Sequence, residues 1–505
     1  MRLRRLHIDR HLLLRDLDLR FDRPGRLSTG QYALDFLVGV NGSGKSTVLR
    51  ALAQIAADLS ADRTTDFNYD LEYELQGRDG PYLVSVSQTR TGAGPRRHMT
   101  VRQAASPDAP PAFDDDAIDQ TFLPSRVIVY TTGSEAEWER LFTRAEETTN
   151  APEAEQSLLA DPVQRSIAEL PGHLPKLDRP EEEAEAEQPY LLIRASRLPV
   201  VTLCGLLAHL GSDKRPLDDV LTSLGLRRVR GFSLRFRLHT ALSPFDTFQR
   251  LEPFATRHVQ QGTDHLLVFD FSADDHTLPA SLLDEFNDSL NLFQELDHLQ
   301  NPALSGEPTL QQVSLFLERE APPASEDGTQ ESDTISHLFL LDWLSDGEQS
   351  FLGRMALLTM LNTEDSLILL DEPEVHFNDY WKREIVNLLD FIMQAHTNHL
   401  LITTHSSILL SDVTEAQVVV LVRGSDGWAR RQFLRIPLLA VDPSEIMVNW
   451  FGAERSVGER STRLLSDAVE KGNREELEQL LSMVGPGYWR YRIQDRLEEL
   501  GAASG

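Results

Sequence analysis

The chain predicts an α/β fold: a parallel core, an antiparallel β-subdomain, a mixed α/β insertion and a helical C-terminal extension. Three observations carry that expectation. An apolar run, Tyr32–Val38, passes through a glycine-rich turn into an Ala/Leu-rich stretch from about Gly44 to Leu59, giving strand, turn and helix in succession. From Leu344 the pattern alternates helix, strand, helix, strand: LSDGEQSFLGRMALLTML, SLILLDE, Tyr380–Gln394 and HLLITTH. Between these regions FNYDLEYEL, YLVSVSQT and HMTVRQ alternate apolar and polar residues across 67–103, with Gly and Pro between them, as antiparallel strands do.

Leu3–Ile8 and Leu12–Phe21 read as paired strands, Asp22–Gly30 as a loop and Arg126–Tyr130 as a further strand. Residues 134–190 carry fifteen acidic and five basic side chains, including Glu181, Glu182, Glu183, Glu185 and Glu187. That composition reads as a solvated helical insertion with an acidic linker, or alternatively as a partner-docking or DNA-mimicking segment. Residues 189–224 read as helical, 227–239 and 265–272 as strands, and 278–298 as one amphipathic helix. Gln311–Glu318 and Ile335–Trp343 read as strands around a polar loop, Ala321–Thr334, and the last stretch of the chain is helical and charged. The expected division is 1–133, the first half of the core with the β-subdomain; 134–310, linker and insertion; 311–440, the second half of the core; and 441–505, the helical extension.

The 505 residues suggest about three domains' worth of chain, and a 41 % apolar fraction is enough for a sizeable core. With 49 basic and 79 acidic residues the net charge is −30, which argues against a protein that coats nucleic acid or anionic membranes. One cysteine, Cys204, excludes an intramolecular disulfide and multi-cysteine metal sites. No apolar run approaches ~18 residues, and MRLRRLHIDRHLLLRDLDLRF lacks an apolar signal core, so no membrane association and a cytoplasmic location are expected.

Gly39-Val40-Asn41-Gly42-Ser43-Gly44-Lys45-Ser46-Thr47 fits G-x-x-x-x-G-K-[ST] between an apolar strand and a helix. Glycines let consecutive backbone N–H groups converge on phosphates, and the helix N-terminus adds partial positive charge. Asn41 to Thr47 would line the phosphates, Lys45 would reach the β and γ groups, and Ser46 would offer its hydroxyl to Mg²⁺. About 325 residues later an apolar strand, expected beside the phosphate loop, ends in Asp371-Glu372. Asp371 suits the Mg²⁺ and Glu372 the attacking water. Leu344-Ser345-Asp346-Gly347-Glu348-Gln349 opens a helix. His405 ends the strand Leu400–Thr404 at a γ-phosphate-sensing position, with Ser406 and Ser407 available to cap the next segment.

These four elements, in this order, resemble the ABC-type P-loop ATPase fold over the first ~50 and last ~160 residues. The resemblance implies ATP and Mg²⁺ clamped between two heads, with Ser345 and Gly347 of one chain reaching the γ-phosphate held by another. Asp346 and Glu348 depart from the usual L-S-G-G-Q, and no Q-loop glutamine is identifiable, although TTGSEAEW is where it would be sought. Asp371-Glu372-Pro373-Glu374-Val375-His376 resembles the motif of OLD- and RecF-like and defence-type ATPases. OLD-type proteins append a TOPRIM nuclease, but here VVVLVRGSDG (418–427) offers Arg423 where an acid is wanted, so no built-in nuclease is expected. LPSRVIVYTTGSEAEW, SEIMVNWFG and VGPGYWRYRI resemble standalone ATPases of bacterial anti-phage systems, most like the PtuA-type ATPase of Septu and retron systems. That resemblance implies a homodimer or larger assembly and a separate HNH-type nuclease partner. The alternatives are a RecF-like repair ATPase that binds DNA directly and a nucleotide-bound scaffold that does not hydrolyse.

Two further features bear on partners. Arg227, Arg228, Arg230, Arg235 and Arg237 occupy a stretch without acids. As a strand it would place Arg235 and Arg237 on one face and Phe232 and Phe236 on the other, leaving a nucleic-acid patch or a solvated face as the readings. Tyr488, Trp489, Arg490, Tyr491 and Arg492 raise the same question, with an assembly interface as an equal possibility. His376 is expected either to cross a dimer seam or to cap a helix.

Overall fold

The computed structural model describes residues 1–21, 23–24, 31–77, 80–92, 94–105, 110–133, 135–149, 190–238, 245–271, 276–301, 308–319, 337–361, 363–394, 396–433, 437–451 and 458–502. The acidic run at 181–187 and the polar loop 321–334 lie outside them.

The chain begins with a hairpin, β1 (Arg2–His11) and β2 (Leu14–Arg20). β3 (Ala33–Val38) is buried at all six positions, as a strand covered on both faces must be, and turns into α1 (Lys45–Ser60). β4 (Tyr69–Gly77), β5 (Gly80–Thr91), β6 (Gly94–Gln103) and β7 (Phe113–Asp115) form an antiparallel meander, with alternate residues buried along β4 and the middle of β5 and β6. β8 (Val127–Thr131) is again wholly buried and precedes α2 (Glu135–Thr149).

Next come β9 (Tyr190–Arg194), α3 (Leu198–Gly211), α4 (Asp218–Ser223), β10 (Leu226–Arg237), α5 (Phe245–Leu251), β11 (Arg257–Gln261) and β12 (Asp264–Asp270). α6 (Thr277–Glu285) and α7 (Ser289–Gln300) lead to β13 (Leu310–Arg319) and β14 (His337–Leu340). The second half of the core holds α8 (Asp346–Met360), β15 (Leu367–Asp371), α9 (Asp379–Met393), β16 (His399–Thr404), α10 (Ser407–Leu410), β17 (Val418–Arg423) and β18 (Ala429–Gln432). The last four helices are α11 (Pro443–Asn449), α12 (Glu459–Lys471), α13 (Arg474–Met483) and α14 (Tyr488–Ala502).

The architecture is mixed α/β. Among the described residues thirteen strands form one sheet in the order β7-β6-β5-β4-β1-β2-β18-β17-β3-β16-β15-β8-β9, and five form another, β11-β12-β10-β13-β14. From β17 to β9 neighbouring strands run parallel. Their C-terminal ends therefore lie along one edge, where ligands bind in open α/β sheets. One compact unit spans Met1–Ala440 and a second Val441–Gly505. In the second, Leu465, Ala468, Val469, Leu477 and Ile493 form the core. Among the described residues no helix is long and apolar enough to cross a membrane.

Several expectations need correction. The strand beside the phosphate loop is β16, not the Asp-ending strand; β15 lies one place further out. Residues 190–194 are not helical: YLLIR pairs in parallel with β8 and closes the sheet. The helix expected over 278–298 is two helices, because Asn287 adopts φ 66° and the Asp288 side chain caps α7. The strand expected to reach Trp343 ends at Leu340 and gives way to a 3₁₀ turn, Leu341–Trp343. β11 was missed because its five residues, RHVQQ, are all exposed and carry no apolar signal.

Candidate functional site

The phosphate loop is held by close backbone packing. A Cβ on Gly39 would sit 2.2 Å from the Leu421 carbonyl oxygen of β17. Gly44 caps α1 with φ 101°, and a Cβ there would meet Ala429 at 3.1 Å and Leu14 at 3.3 Å. Only glycine fits either position, so the requirement lies in the surrounding sheet as much as in any ligand. Among the described residues the buried Ser43 hydroxyl has no hydrogen-bond partner, and the Ser43 backbone N–H donates to the Val40 carbonyl at 3.1 Å. An orphaned hydroxyl in a loop bounded by α1's N-terminus suits an anion with oxygen acceptors.

Strand order then brings the distant residues together. Lys45 Nζ donates to the Gly39 carbonyl at 3.0 Å and lies 2.6 Å from His405 Nε2 and 4.0 Å from Glu372 Oε1. Ser46 Oγ donates to Asp371 Oδ1 at 3.0 Å, and Thr403 Oγ1 donates to the same oxygen at 2.6 Å. His405 Nε2 is 2.9 Å from Glu372 Oε1. One ring nitrogen therefore faces both Lys45 and Glu372 and can serve only one of them in a given tautomer. Asn41, Gly42 and Thr47 belong to the same loop and helix start, with Thr47 buried.

Burial pushes the Lys45 ammonium below its ordinary range, against the raising effect of Glu372, Asp371 and Glu374. The His405 hydrogen bond holds Glu372 below the usual carboxylate value, outweighing partial desolvation. Glu372 also has φ 51°, a left-handed conformation fixed by its N–H donating to Thr403 Oγ1 at 2.9 Å and Thr403 O at 3.2 Å.

Glu374 is 5 % exposed, and desolvation raises its carboxyl above the ordinary value. Its Oε1 accepts from the Thr404 hydroxyl and from the His405 N–H, the latter at 3.3 Å, while the buried Oε2 has no partner among the described residues. The sequence motif gave this residue no role; here it holds the backbone that presents His405.

The signature stretch is built differently. Ser345 caps α8: its hydroxyl accepts from the Glu348 N–H at 3.4 Å and donates to Glu348 Oε2 at 2.8 Å, and its own N–H donates to Oε2 at 2.8 Å. Glu348 thus completes a capping box. Partial burial opposes its charge, but the Ser345 bonds and Arg319 at 3.2 Å hold it below the ordinary value. Among the described residues no hydrogen bond or ion pair joins Ser345 or Gly347 to the phosphate loop of the same chain. Gly347 instead packs on the loop after β15, where a Cβ would lie 3.1 Å from the His376 carbonyl.

α8 reaches that loop again through Arg354, which is 4 % exposed. Its Nη1 donates to the Pro373 and Val375 carbonyls and its Nε to the Tyr130 hydroxyl at 2.9 Å. Phe351 stacks on Trp381 at 4.6 Å, and Phe377 packs edge-on against Phe351. Sequence reasoning missed Arg354, although a lone cation within FLGRMALL is a usable signal, since a buried charge must find partners. His376 is exposed, and Asn378, not His376, caps α9. The TTGSEAEW turn begins beside Asp371: Thr131 pairs with it across the sheet and Thr132 Oγ1 donates to its carbonyl at 3.4 Å.

The basic strand keeps the expected faces, with Arg235 exposed and Phe232 and Phe236 buried. Its charge is largely matched. Arg227, Arg228 and Arg230 lie 3.7, 2.8 and 3.4 Å from Glu318, and Arg237 lies 2.9 Å from Asp264.

Ser46 and Asp371 offer two hard oxygens 3.0 Å apart. Among the described residues no group of three or more His, Cys, Asp or Glu side chains could hold a metal ion. Few protein oxygens at a phosphate site suit Mg²⁺, which keeps water and phosphate ligands.

Residues 207–411 match the family described as "AAA domain, putative AbiEii toxin, Type IV TA system". That segment holds the signature stretch, Asp371-Glu372 and His405; the phosphate loop precedes it. The match covers less than half of the chain, and over that segment the chain is similar to this AAA domain. No curated protein matches the chain. Among solved structures, the SMC head domain from Thermotoga maritima is similar at 11 % identity, covering 86 % of this chain and 100 % of that one, with a TM-score of 0.34. The SMC head bound to the C-winged helix domain of ScpA gives 11 % identity, 86 % and 98 % coverage and a TM-score of 0.31. The head with an extended coiled coil bound to the C-terminal domain of ScpA, derived from Pyrococcus furiosus, gives 10 %, 86 %, 96 % and 0.30.

Proposed function

We propose that this chain binds ATP·Mg²⁺ between two copies of its head, hydrolyses it, and uses the cycle to gate a separate effector. What supports the reading above all is one convergence: the start of α1 and the ends of β15 and β16 bring together Lys45, Ser46, Asp371, Glu372 and His405. In this reading the head comprises 1–133 with 311–440, the insertion 134–310 and the extension 441–505.

The roles follow from the chemistry of the groups. Backbone N–H groups of Asn41 to Thr47 cradle the phosphates, and Lys45 moves from Gly39 O to the β and γ oxygens. Ser46 and Asp371 would hold Mg²⁺, which would supply charge neutralisation to the phosphates. Glu372, kept ionised by His405, orients the attacking water and accepts its proton. His405, relieved of Lys45 once phosphate draws the ammonium away, reports the γ-phosphate to Glu372. Ser345 and Gly347 act on a second copy's nucleotide. That contact competes with the capping box, so slow turnover is expected.

The effector is proposed as an HNH-type nuclease in cytoplasmic anti-phage defence, on the resemblances of 123–138, 444–452 and 484–493. The matched family's mention of a toxin of a type IV toxin–antitoxin system fits an effector-gating role. Direct DNA binding through Arg227–Arg237 has less support, because four of those five arginines already face Glu318 or Asp264. The test is Glu372→Gln with ATP·Mg²⁺: sedimentation should show a nucleotide-dependent dimer that persists, with turnover at least ~100-fold lower. Turnover equal to that of the unsubstituted chain would remove Glu372 from its role.

A further inference from the structure

On its other side the phosphate loop meets the hairpin of β17 and β18. Ala429 fills the space beside Gly44, and Arg423 Nη1 lies 3.9 Å from where a Cβ on Gly42 would be. The turn between the strands is braced by Gly424 N–H to Trp428 O at 2.9 Å and by Arg423 Nε to Gly427 O at 3.1 Å. It ends in a half-buried tryptophan, Trp428.

Two arginines from the neighbouring hairpin cover that indole. Arg10 and Arg15 face each other across β1 and β2, and their guanidinium carbons lie 5.4 and 5.6 Å from the ring centre. Arg10, Arg15 and Arg423 are exposed, and among the described residues none has a carboxylate partner. In a chain of net charge −30, three such cations at one edge of a phosphate loop are out of keeping with their surroundings. The basic strand β10 shows the contrast, since most of its arginines are matched by Glu318 or Asp264.

We propose that Trp428, Arg10 and Arg15 form the shelf that takes the nucleobase, a purine, with Arg423 beside the phosphate chain. A phosphate loop grips phosphates and reads no base, so base selection needs a flat surface within a nucleotide's length of it. An indole with two guanidinium groups within 5.6 Å of its ring centre is a flat, polarisable surface in a cationic setting, and purines offer the larger π surface to stack. The inference rests on the reading of the loop as a triphosphate site.

Calorimetry of the full chain with Mg²⁺ and either ATP or inorganic tripolyphosphate separates the two ideas. Trp428→Ala should weaken ATP binding by about ten- to a hundredfold and leave tripolyphosphate within about twofold, as loss of one stacking contact implies. Trp428→Phe should recover most of the ATP affinity, and the unsubstituted chain should prefer ATP to CTP. Equal ATP affinity in Trp428→Ala and the unsubstituted chain overturns the shelf. So does an equal loss of both ligands in a variant with an unchanged melting temperature, since Trp428 would then only prop the loop. If the unsubstituted chain binds neither ligand, or Lys45→Ala binds both as well as it does, the triphosphate reading itself falls.

Discussion

Replacing Arg354 with Met removes the tie between the signature helix and the loop after Asp371-Glu372. The side chains are similar in length, so the change deletes charge and hydrogen bonds more than volume. It leaves the Pro373 and Val375 carbonyls without their donor and the Tyr130 hydroxyl without its partner. Each orphaned buried acceptor costs ~1–3 kcal/mol. Loss of the guanidinium over the Phe377 ring, at 5.0 Å, removes about another 1 kcal/mol. Relief of the guanidinium's own desolvation offsets part of this, leaving a net of about 3 kcal/mol. At ~2.1 cal/mol/K per residue the unit Met1–Ala440 unfolds with about 0.9 kcal/mol/K, so the melting temperature should fall by about 3 °C. The functional effect should be larger: on the proposed role of Glu372, kcat down about tenfold or more, with the nucleotide Kd changed less than about threefold, because Arg354 touches the loop just after Glu372 and not the phosphate loop. Differential scanning calorimetry and a steady-state phosphate-release assay read both. An unchanged melting temperature would refute the buried tie, and an unchanged kcat with the expected melting shift would refute the coupling of α8 to catalysis.

Other outcomes rest on single groups. Glu374 has a folded pKa above its unfolded value, so the folded state holds a proton that the unfolded state has lost between those two values. Stability should therefore fall as pH rises through that window, by up to about 1.4 kcal/mol per pH unit. Denaturant titrations of Glu374→Gln should show that slope flattened, and an unchanged slope would mean the carboxyl is not buried as described. Gly39→Ala places a methyl against the Leu421 carbonyl and should cost ~1–3 kcal/mol and abolish nucleotide binding. Gly92→Ala, where a Cβ meets nothing within 4 Å, should behave as the unsubstituted chain in both measurements.

Much of the head was legible because its strands obey local rules. The wholly buried β3, β8, β15 and β16 show as uninterrupted apolar runs, and the meander β4–β6 shows as alternation. Lys45, Ser46, Asp371, Glu372 and His405 were all named from motif spacing. What spacing does not encode is strand order, so β16 between β3 and β15 came only from the structure. Edge strands were harder. β9 runs straight toward the apolar helix α3 with little punctuation, and β11 has no apolar face. Glu348 looked like a departure from the signature pattern, whereas its role is the local one of closing a capping box on Ser345. Glu374 and Arg354 act through backbone atoms of segments remote in sequence, which no residue pattern records.

The claim most in need of a direct test is that two copies share each phosphate site. Lys45→Ala and Ser345→Arg should each be inactive alone, the first for want of a phosphate grip and the second by blocking the contribution to a neighbour. Mixed in equal amounts, half the dimers pair one with the other, and each such pair contains one site with both parts intact. Phosphate release should then recover to about a quarter of the unsubstituted rate. A mixture as inactive as its components, under conditions where the two variants demonstrably associate, would contradict the shared site.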